Sequence, residues 1–515
     1  MQELFQAINQ VFSFIGPLSD FLWDFPTNFA WYKQIPILGN FSLAVILLLG
    51  SGIYFSFRLG FMQVTYFKKG VKLLTQKKQV KTGISQSAAF FLSTAMRVGP
   101  GNIVGVTGAI AVGGPGAMFW MWVSAFFGMA VAYVESVLAQ IFKEKKGDEF
   151  VGGLPFYGKK LLGDKAWVGV SLSILYILYA MCCLPAQGYN VVSSIGEMAG
   201  IVTGKTIVAE SAFSYIIAAL VVICTAVIAF GGIKKVTKLT NKMVPVMAVV
   251  YVCTVLVLII LNLNRVPYFF SEVFKGAFTA NAFFGGVFGT VLVQGVKRGL
   301  MSNEAGQGTI TMSAAAADCD DPCEQGIIAS VGVFLDTIVI CTLSGFVVIM
   351  AHCWETQNAT TWMELDKLGK FTASIAELTP GVALNGVMMV LVSFCFCLFA
   401  YTCLIGMISF SEISANRISR SKKLTWGIRA LGIFTVTFGI LCNLAGLELG
   451  NLWAFSDLGN ILIVFANLPI LFVGAKYVLK ATEHYKKQDG TVFSSEVIGI
   501  ECPYWDNEDT KDKNS

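Results

Sequence analysis

The sequence predicts an all-α polytopic membrane protein of about eleven transmembrane helices, one extra N-terminal span followed by two five-helix halves of opposite orientation. Three observations predict it. The chain of 515 residues is 55% hydrophobic and only 13% charged, whereas a soluble domain carries roughly 25% charged residues. Nearly uncharged runs recur at 37–57, 86–112, 114–142, 166–198, 207–230, 243–262, 278–296, 325–351, 382–410, 425–446 and 452–478, each about as long as a helix that crosses a hydrocarbon core. Helix breakers are concentrated in two of these runs.

Taken in order, residues 1–36 hold Asp20, Asp24 and several aromatics without a basic start or a small-residue cleavage site, which predicts an interfacial segment and not a removable signal peptide. The run at 37–57 is the extra span. The connection after it carries Arg58, Lys68, Lys69, Lys72, Lys77, Lys78 and Lys81 and no acid, so it belongs in the cytoplasm. Alternation from there places the N-terminus outside, the C-terminus inside and most of the 37 basic residues on the inner side of a cell membrane. Residues 84–262 form the first repeat and 276–478 the second, and 479–515, rich in Asp, Glu, Lys and Asn, form a flexible cytoplasmic tail. The 13 cysteines fall mostly within spans and read as small packing residues. His352 and His484 are too far apart for a metal-ligand spacing.

The first concentration of breakers is RVGPGNIVGVTGAIAVGGPG at 97–116. Breaking a helix inside a membrane frees backbone groups that cost several kcal/mol each unless protein, water or a ligand satisfies them. Gly99, Pro100, Gly101 and Asn102 make an unwound corner, whereas Gly105 and Gly108 also suit close helix packing. Gly113 to Gly116 form the outer turn into the next span. The second concentration, NAFFGGVFGTVLVQGVKRG, places Gly285, Gly286 and Gly289 inside a span. Two interrupted helices at equivalent positions of inverted halves point to the binding site of a secondary transporter. Freed amides suit a carboxylate and freed carbonyls suit Na⁺.

VGPGNIVGVTGAIAVGGPGAMFWMWVSAFFGMAVAYVES (98–136), KRGLMSNEAGQG (297–308) and QGIIASVGVFLDTIVICT (325–342) resemble the motifs of the alanine or glycine:cation symporter family, within the amino acid-polyamine-organocation superfamily. Weaker echoes are VGGLPFYG, FAYTCLIG and FSDLGNILIVFANLP. The resemblance implies a LeuT-type inverted-repeat fold and Na⁺-coupled uptake of a small neutral amino acid such as alanine. It implies that Gly101 and Asn102 meet the substrate's carboxylate or the ion, that Val98 and Gly99 offer carbonyls to Na⁺, and that Thr402 and Cys403 stand where the fold presents two hydroxyls to the ion. The same resemblance implies that Gln187, Phe283, Phe284, Gly285 and Met407 line the substrate pocket. Three residues depart from the family pattern. Pro100 stands where a hydroxyl is common, Cys403 gives a hard cation a weak sulfur ligand, and Met407 replaces a Trp, which enlarges the pocket enough to raise glutamine as a substrate.

Four ionisable residues fall within or beside the spans, where charge is costly and marks function by default. Arg97 either gates the inner path or snorkels to its mouth. Glu135 lies close enough to Lys143 for a structural pair, Glu304 follows Ser302-Asn303 in an inner loop as a helix start, and Asp336 is a coupling candidate. No H-E-x-x-H, G-x-S-x-G or Walker loop is present, which tells against an enzyme or an ATP-driven pump, and no repeated filter suggests a channel. The expected cargo is a small neutral amino acid with Na⁺ as coupling ion and H⁺ as the alternative. No other cofactor and no nucleic acid is expected.

Overall fold

The computed structural model describes residues 13–506 apart from 36–37, 77–79, 81, 206, 208–210, 279–286, 356–358, 366, 447–449 and 488–490. Phe283, Phe284 and Gly285 lie outside the described residues. The elements used below are α1 (Ile15–Asp24), α2 (Leu43–Arg58), α3 (Phe67–Thr75), α4 (Gln86–Arg97), α5 (Val106–Gly113), α6 (Gly116–Ile141), β1 (Glu144–Lys146), β2 (Glu149–Val151), α7 (Leu154–Leu161), α8 (Ala166–Thr203), α9 (Ala212–Ala229), α10 (Gly232–Leu261) and α11 (Val266–Phe278). They continue with α12 (Val287–Asn303), α13 (Thr311–Ala316), α14 (Pro322–Val333), α15 (Thr342–Met350), α16 (Lys367–Leu378), α17 (Val382–Ala415), α18 (Lys422–Leu444) and α19 (Gly450–Lys487).

Among the described residues, 8 helical segments are long and apolar enough to cross a membrane: α6, α8, α9, α10, 322–350, α17, α18 and α19 from Leu452. The other three apolar runs of the sequence are shorter or broken. Helix α2 has 16 residues, the run at 86–112 is split into α4 and α5, and α12 ends at Asn303.

Polar caps start several of these helices. Ser42 Oγ accepts from Val45 N, Ser85 Oγ from Ala88 N, Ser211 Oγ from Ser214 N and Ser421 Oγ from Leu424 N, each satisfying a donor that the first turn leaves orphaned. Small residues then let the helices close on one another. A methyl on Gly439 of α18 would lie 1.9 Å from the Pro185 carbonyl oxygen of α8, so only glycine permits that crossing. Helix α8 packs on α17, α18 and α19, and α6 packs on α14 and α12.

The first and last described segments are more tightly joined to the bundle than their polarity suggests. Helix α1 lies against α19, with Trp23 buried and its Nε1 donating to the Asp457 carbonyl at 3.0 Å. At the other end α19 runs to Lys487, and Phe493, Ile498, Cys502 and Trp505 are buried.

Candidate functional site

Helix α4 stops at Val98, and the chain turns through Gly99 and Pro100 into a π-turn at Gly101–Gly105 before α5 begins. Proline supplies no N–H and fixes its own φ, here −54°, so the α-helical ladder cannot run through it. The turn satisfies itself: Asn102 Oδ1 accepts from Gly99 N at 2.8 Å, and Pro100 O accepts from Ile103 N and Val104 N.

A second interruption follows α12. Glu304, Gly306 and Gly308 all have positive φ, at 57°, 99° and 72°, and helix resumes only at Thr311. The sequence pattern points to a second break at the glycines from 285 and puts 304–310 in an inner loop. In the structure Gly289 lies within α12, while Glu304 to Ile310 are buried at the level of the first interruption. Their backbone is satisfied from outside. Glu135 Oε1 accepts from Gly306 N at 3.0 Å, Gly308 N at 2.9 Å and Asn467 Nδ2 at 2.6 Å, and Tyr157 donates to Asn467 Oδ1 at 2.6 Å. Glu135 therefore holds this turn and not Lys143, which bonds Gln140 Oε1 and the Ala317 carbonyl.

The two interruptions face each other. Arg97 Nε donates to the Asn303 carbonyl at 3.0 Å and Nη1 to the Ala329 carbonyl at 3.2 Å, so this buried arginine bridges both breaks to α14. Between them lies a cavity of about 50 Å³. One water occupies roughly 10–15 Å³ on this scale, so the space matches a few water-sized groups, as in a small amino acid. Gly99, Pro100 and Gly101 form one wall and Met301 and Glu304 the facing one. Tyr179, Cys183 and Gln187 enter from α8, Cys403 and Met407 from α17, and Ser456 and Asn460 from α19. Gln187 Oε1 is buried and has no hydrogen-bond partner among the described residues.

Of the residues singled out in the sequence, Arg97, Gly99, Gly101, Gln187, Cys403 and Met407 border this cavity. Val98 is buried beside it. Thr402 points elsewhere, its hydroxyl donating to the Phe399 carbonyl and lying near Met247 Sδ. Cys403 Sγ lies 3.8 Å from the Met96 carbonyl. Asn102 and Asp336 form a separate buried cluster behind the first interruption. Asn102 Nδ2 donates to Asp336 Oδ1 at 2.6 Å and to Ser302 Oγ at 3.0 Å, and Ser302 and Thr337 both donate to Asp336 Oδ2. Sequence reasoning missed Glu304 as a wall residue and Ser302 as Asp336's partner. The signal was present in the two glycines of SNEAGQG, which permit the left-handed turns.

The far side of the cavity is covered by charge. Arg298 lies 3.4 Å and Lys297 3.3 Å from the Asp457 carboxylate, Lys297 sits 5.0 Å over the Trp23 ring and Lys367 5.9 Å over Trp453. Burial, with Arg298 nearby, pushes the Lys367 amine down to about 8.

Opposed helix interruptions around a solute-sized cavity, within a bundle of membrane-spanning helices, define a multi-pass membrane transporter. Residues 30–497 match the family model described as the sodium:alanine symporter family, and the chain belongs to that family. It is 36% identical over 99% of its length, and 98% of the relative's, to the "Probable sodium/glutamine symporter GlnT" of Bacillus subtilis. It is 34% identical to the sodium/alanine symporter AgcS of Methanococcus maripaludis, covering 86% of this chain and 94% of that one. Its fold is shared with MhsT, solved in complex with L-phenylalanine, at a TM-score of 0.58 and 13% identity over 78% of this chain and 93% of that chain.

Proposed function

We propose that this protein couples inward Na⁺ movement to uptake of a small neutral amino acid, alternating access around the cavity between the two interruptions. The observation that carries the reading is that both interruptions turn backbone and one carboxylate, Glu304, toward the same space. A zwitterion placed there directs its ammonium to Glu304 and its carboxylate to the backbone amide of Gly101, where no Cβ blocks approach. The cation occupies oxygen-rich sites of the kind a hard ion prefers. One is the backbone corner at Val98 and Gly99 beside Cys403. The other is the cluster of Asn102, Ser302, Asp336 and Thr337, through which a proton would act if H⁺ is the coupling ion. The fold on this reading has eleven spans, the first an extra helix and the rest a five-plus-five inverted repeat, with the N-terminus outside and the C-terminus in the cytoplasm. Arg298, Lys297, Lys367 and Asp457 then cover the outer path, and Arg97 lies across the inner one.

A specific observation favours a second substrate, glutamine. Among the described residues Gln187 Oε1 is an unpaired acceptor at the cavity, suited to a carboxamide N–H, and Met407 is flexible enough to yield room. Uptake into proteoliposomes under imposed Na⁺ or H⁺ gradients tests the reading. Accumulation of labelled alanine that collapses when choline replaces Na⁺ supports it, and downhill flux alone overturns it. Competition by unlabelled alanine, glycine, serine and glutamine decides between the substrates.

A further inference from the structure

At the end of the bundle where α4 starts and α19 finishes, residues 491–506 fold back across the helix ends. Trp505 is 2% exposed, and its Nε1 donates to the Gln140 carbonyl at the end of α6 at 2.8 Å. Phe493 packs edge-on against Trp505, and Lys480 Nζ of α19 donates to the Ile498 carbonyl. Ser495 ties the segment to itself, its Oγ accepting from Cys502 N at 2.7 Å and its N–H donating to Asp506 Oδ1 at 2.8 Å. The rings of Phe150, Tyr504 and Trp505 surround the Lys143 ammonium at 4.2, 4.4 and 5.1 Å. Buried cations gain from such aromatic faces.

What Lys143 touches next gives the segment its meaning. Its Nζ donates to the Ala317 carbonyl at 2.9 Å, and Ala317 is bridged to Ile84. Around that bridge Ile84 N donates to the Ala316 carbonyl, Asp318 N to the Ile84 carbonyl and Gly83 N to the Asp148 carbonyl. These bonds fasten the lead-in of the first interrupted helix to the exit of the second. Any separation of these two elements at this end breaks those contacts.

We propose that residues 491–506 are an intramolecular strap that holds this end of the transport path shut through Trp505, Lys143 and the Ile84–Ala317 bridge. Release of the strap favours the conformation open on this side. That this side is cytoplasmic rests on the function proposed above, but the closure itself does not.

Two buried thiols respond to it directly. Cys502 lies within the strap at 0% exposure, and Cys319 lies just beyond the bridge at 2%. The experiment measures N-ethylmaleimide labelling of both, read by peptide mass spectrometry on the full-length protein, in wild type, Trp505→Ala and Ser495→Ala. The second variant removes only the strap's own hub and leaves the packed rings in place. Local opening raises exchange and labelling in proportion to the open population, so both variants should label Cys502 and Cys319 at least about fivefold faster than wild type. Faster labelling of Cys502 with Cys319 unchanged overturns the proposal, because the strap then lifts without opening the path. Unchanged labelling of both thiols overturns it too, since these contacts then hold nothing closed. Absence of amino-acid uptake in every protein, wild type included, tells against the proposed substrate, while the labelling rates still decide whether the strap holds the path shut.

Discussion

The two interruptions do the same job by different means. The first, Gly99 to Asn102, is closed by its own short polar side chain, Asn102 capping Gly99 N, and a methyl at Gly101 would find nothing nearer than 3.8 Å. The second, Glu304 to Ile310, uses three residues of positive φ and borrows its hydrogen bonds from α6, α7 and α19 through Glu135, Tyr157 and Asn467. A self-closed turn can keep its shape while its helix moves, whereas a borrowed one keeps its shape only while its lenders stay in place. Changes around the second break should therefore register first in stability, and changes around the first in binding and coupling.

The largest effect is expected at Glu135. Glu135→Ala leaves Gly306 N, Gly308 N and Asn467 Nδ2 buried without their acceptor, each a loss of about 1–3 kcal/mol, against a total stability of about 5–15 kcal/mol. The variant should fail to give a monodisperse peak in fluorescence-detected size-exclusion chromatography, while Glu135→Gln, which keeps one acceptor oxygen, should give a folded but less thermostable protein. A stable, monodisperse Glu135→Ala would mean that the second interruption does not depend on its lenders.

At the first interruption the matching change is Asp336→Asn. The carboxamide fills the same volume and can keep one acceptor for Ser302, so melting should move little. Loss of the charge should lower Na⁺-driven uptake at least about tenfold, about 1.4 kcal/mol of transition-state stabilisation. Unchanged rate and cation dependence would remove Asp336 from coupling and leave the backbone corner at Gly99 as the remaining ion site.

These contrasts also explain which parts were legible from sequence. Eight of the spans and the first break were readable because hydropathy and a Gly-Pro-Gly triplet are local signals, and a helix cannot run through Pro100 whatever surrounds it. The interruption at Glu304 to Ile310 was not read from sequence because its glycines, 306 and 308, follow a charged KRG stretch that reads as a loop, while Gly285 and Gly286 lie outside the described residues. Nothing local shows that Glu135, far earlier in the chain, supplies the acceptor that lets such a segment be buried. The bonds of Asn102 to Ser302 and Asp336 were illegible for the same reason, since only the fold brings those residues behind it. The 479–515 tail read as flexible from its charge, yet Phe493, Ile498 and Trp505 find a buried seat, which composition averages away.

Glycine substitutions sharpen the comparison further. Gly308→Ala forces an alanine to φ near 72°, at roughly 1–2 kcal/mol, and its methyl would sit 3.0 Å from Asn467 and Tyr157, so the melting temperature should fall. Gly101→Ala meets neither strain nor contact, so its melting should stay near wild type while the KM for the amino acid rises. If Gly101→Ala melts as low as Gly308→Ala, the first turn is not self-closed.

The smallest effect separates the two covers on the charged side of the cavity. Lys367 overlies the first interrupted helix, its Cε 3.4 Å from where a methyl on Gly108 would be, while Arg298 and Lys297 of the second meet Asp457. Burial, with Arg298 nearby, holds the Lys367 amine at about 8, below the usual lysine value of about 10.4. Well below pH 8 both folded and unfolded chains carry the proton, and the cost of the buried charge is fully present. Between about pH 8 and about pH 10 the unfolded chain binds more protons, so stability rises with pH. Arg298 of the second cover does not titrate in that window, and the comparison with Lys367→Met isolates the slope that Lys367 adds. Melting followed by intrinsic fluorescence across this range should climb in wild type and climb less in Lys367→Met. Parallel curves would mean that Lys367 is solvated in solution, and that the two covers are alike in their response to pH.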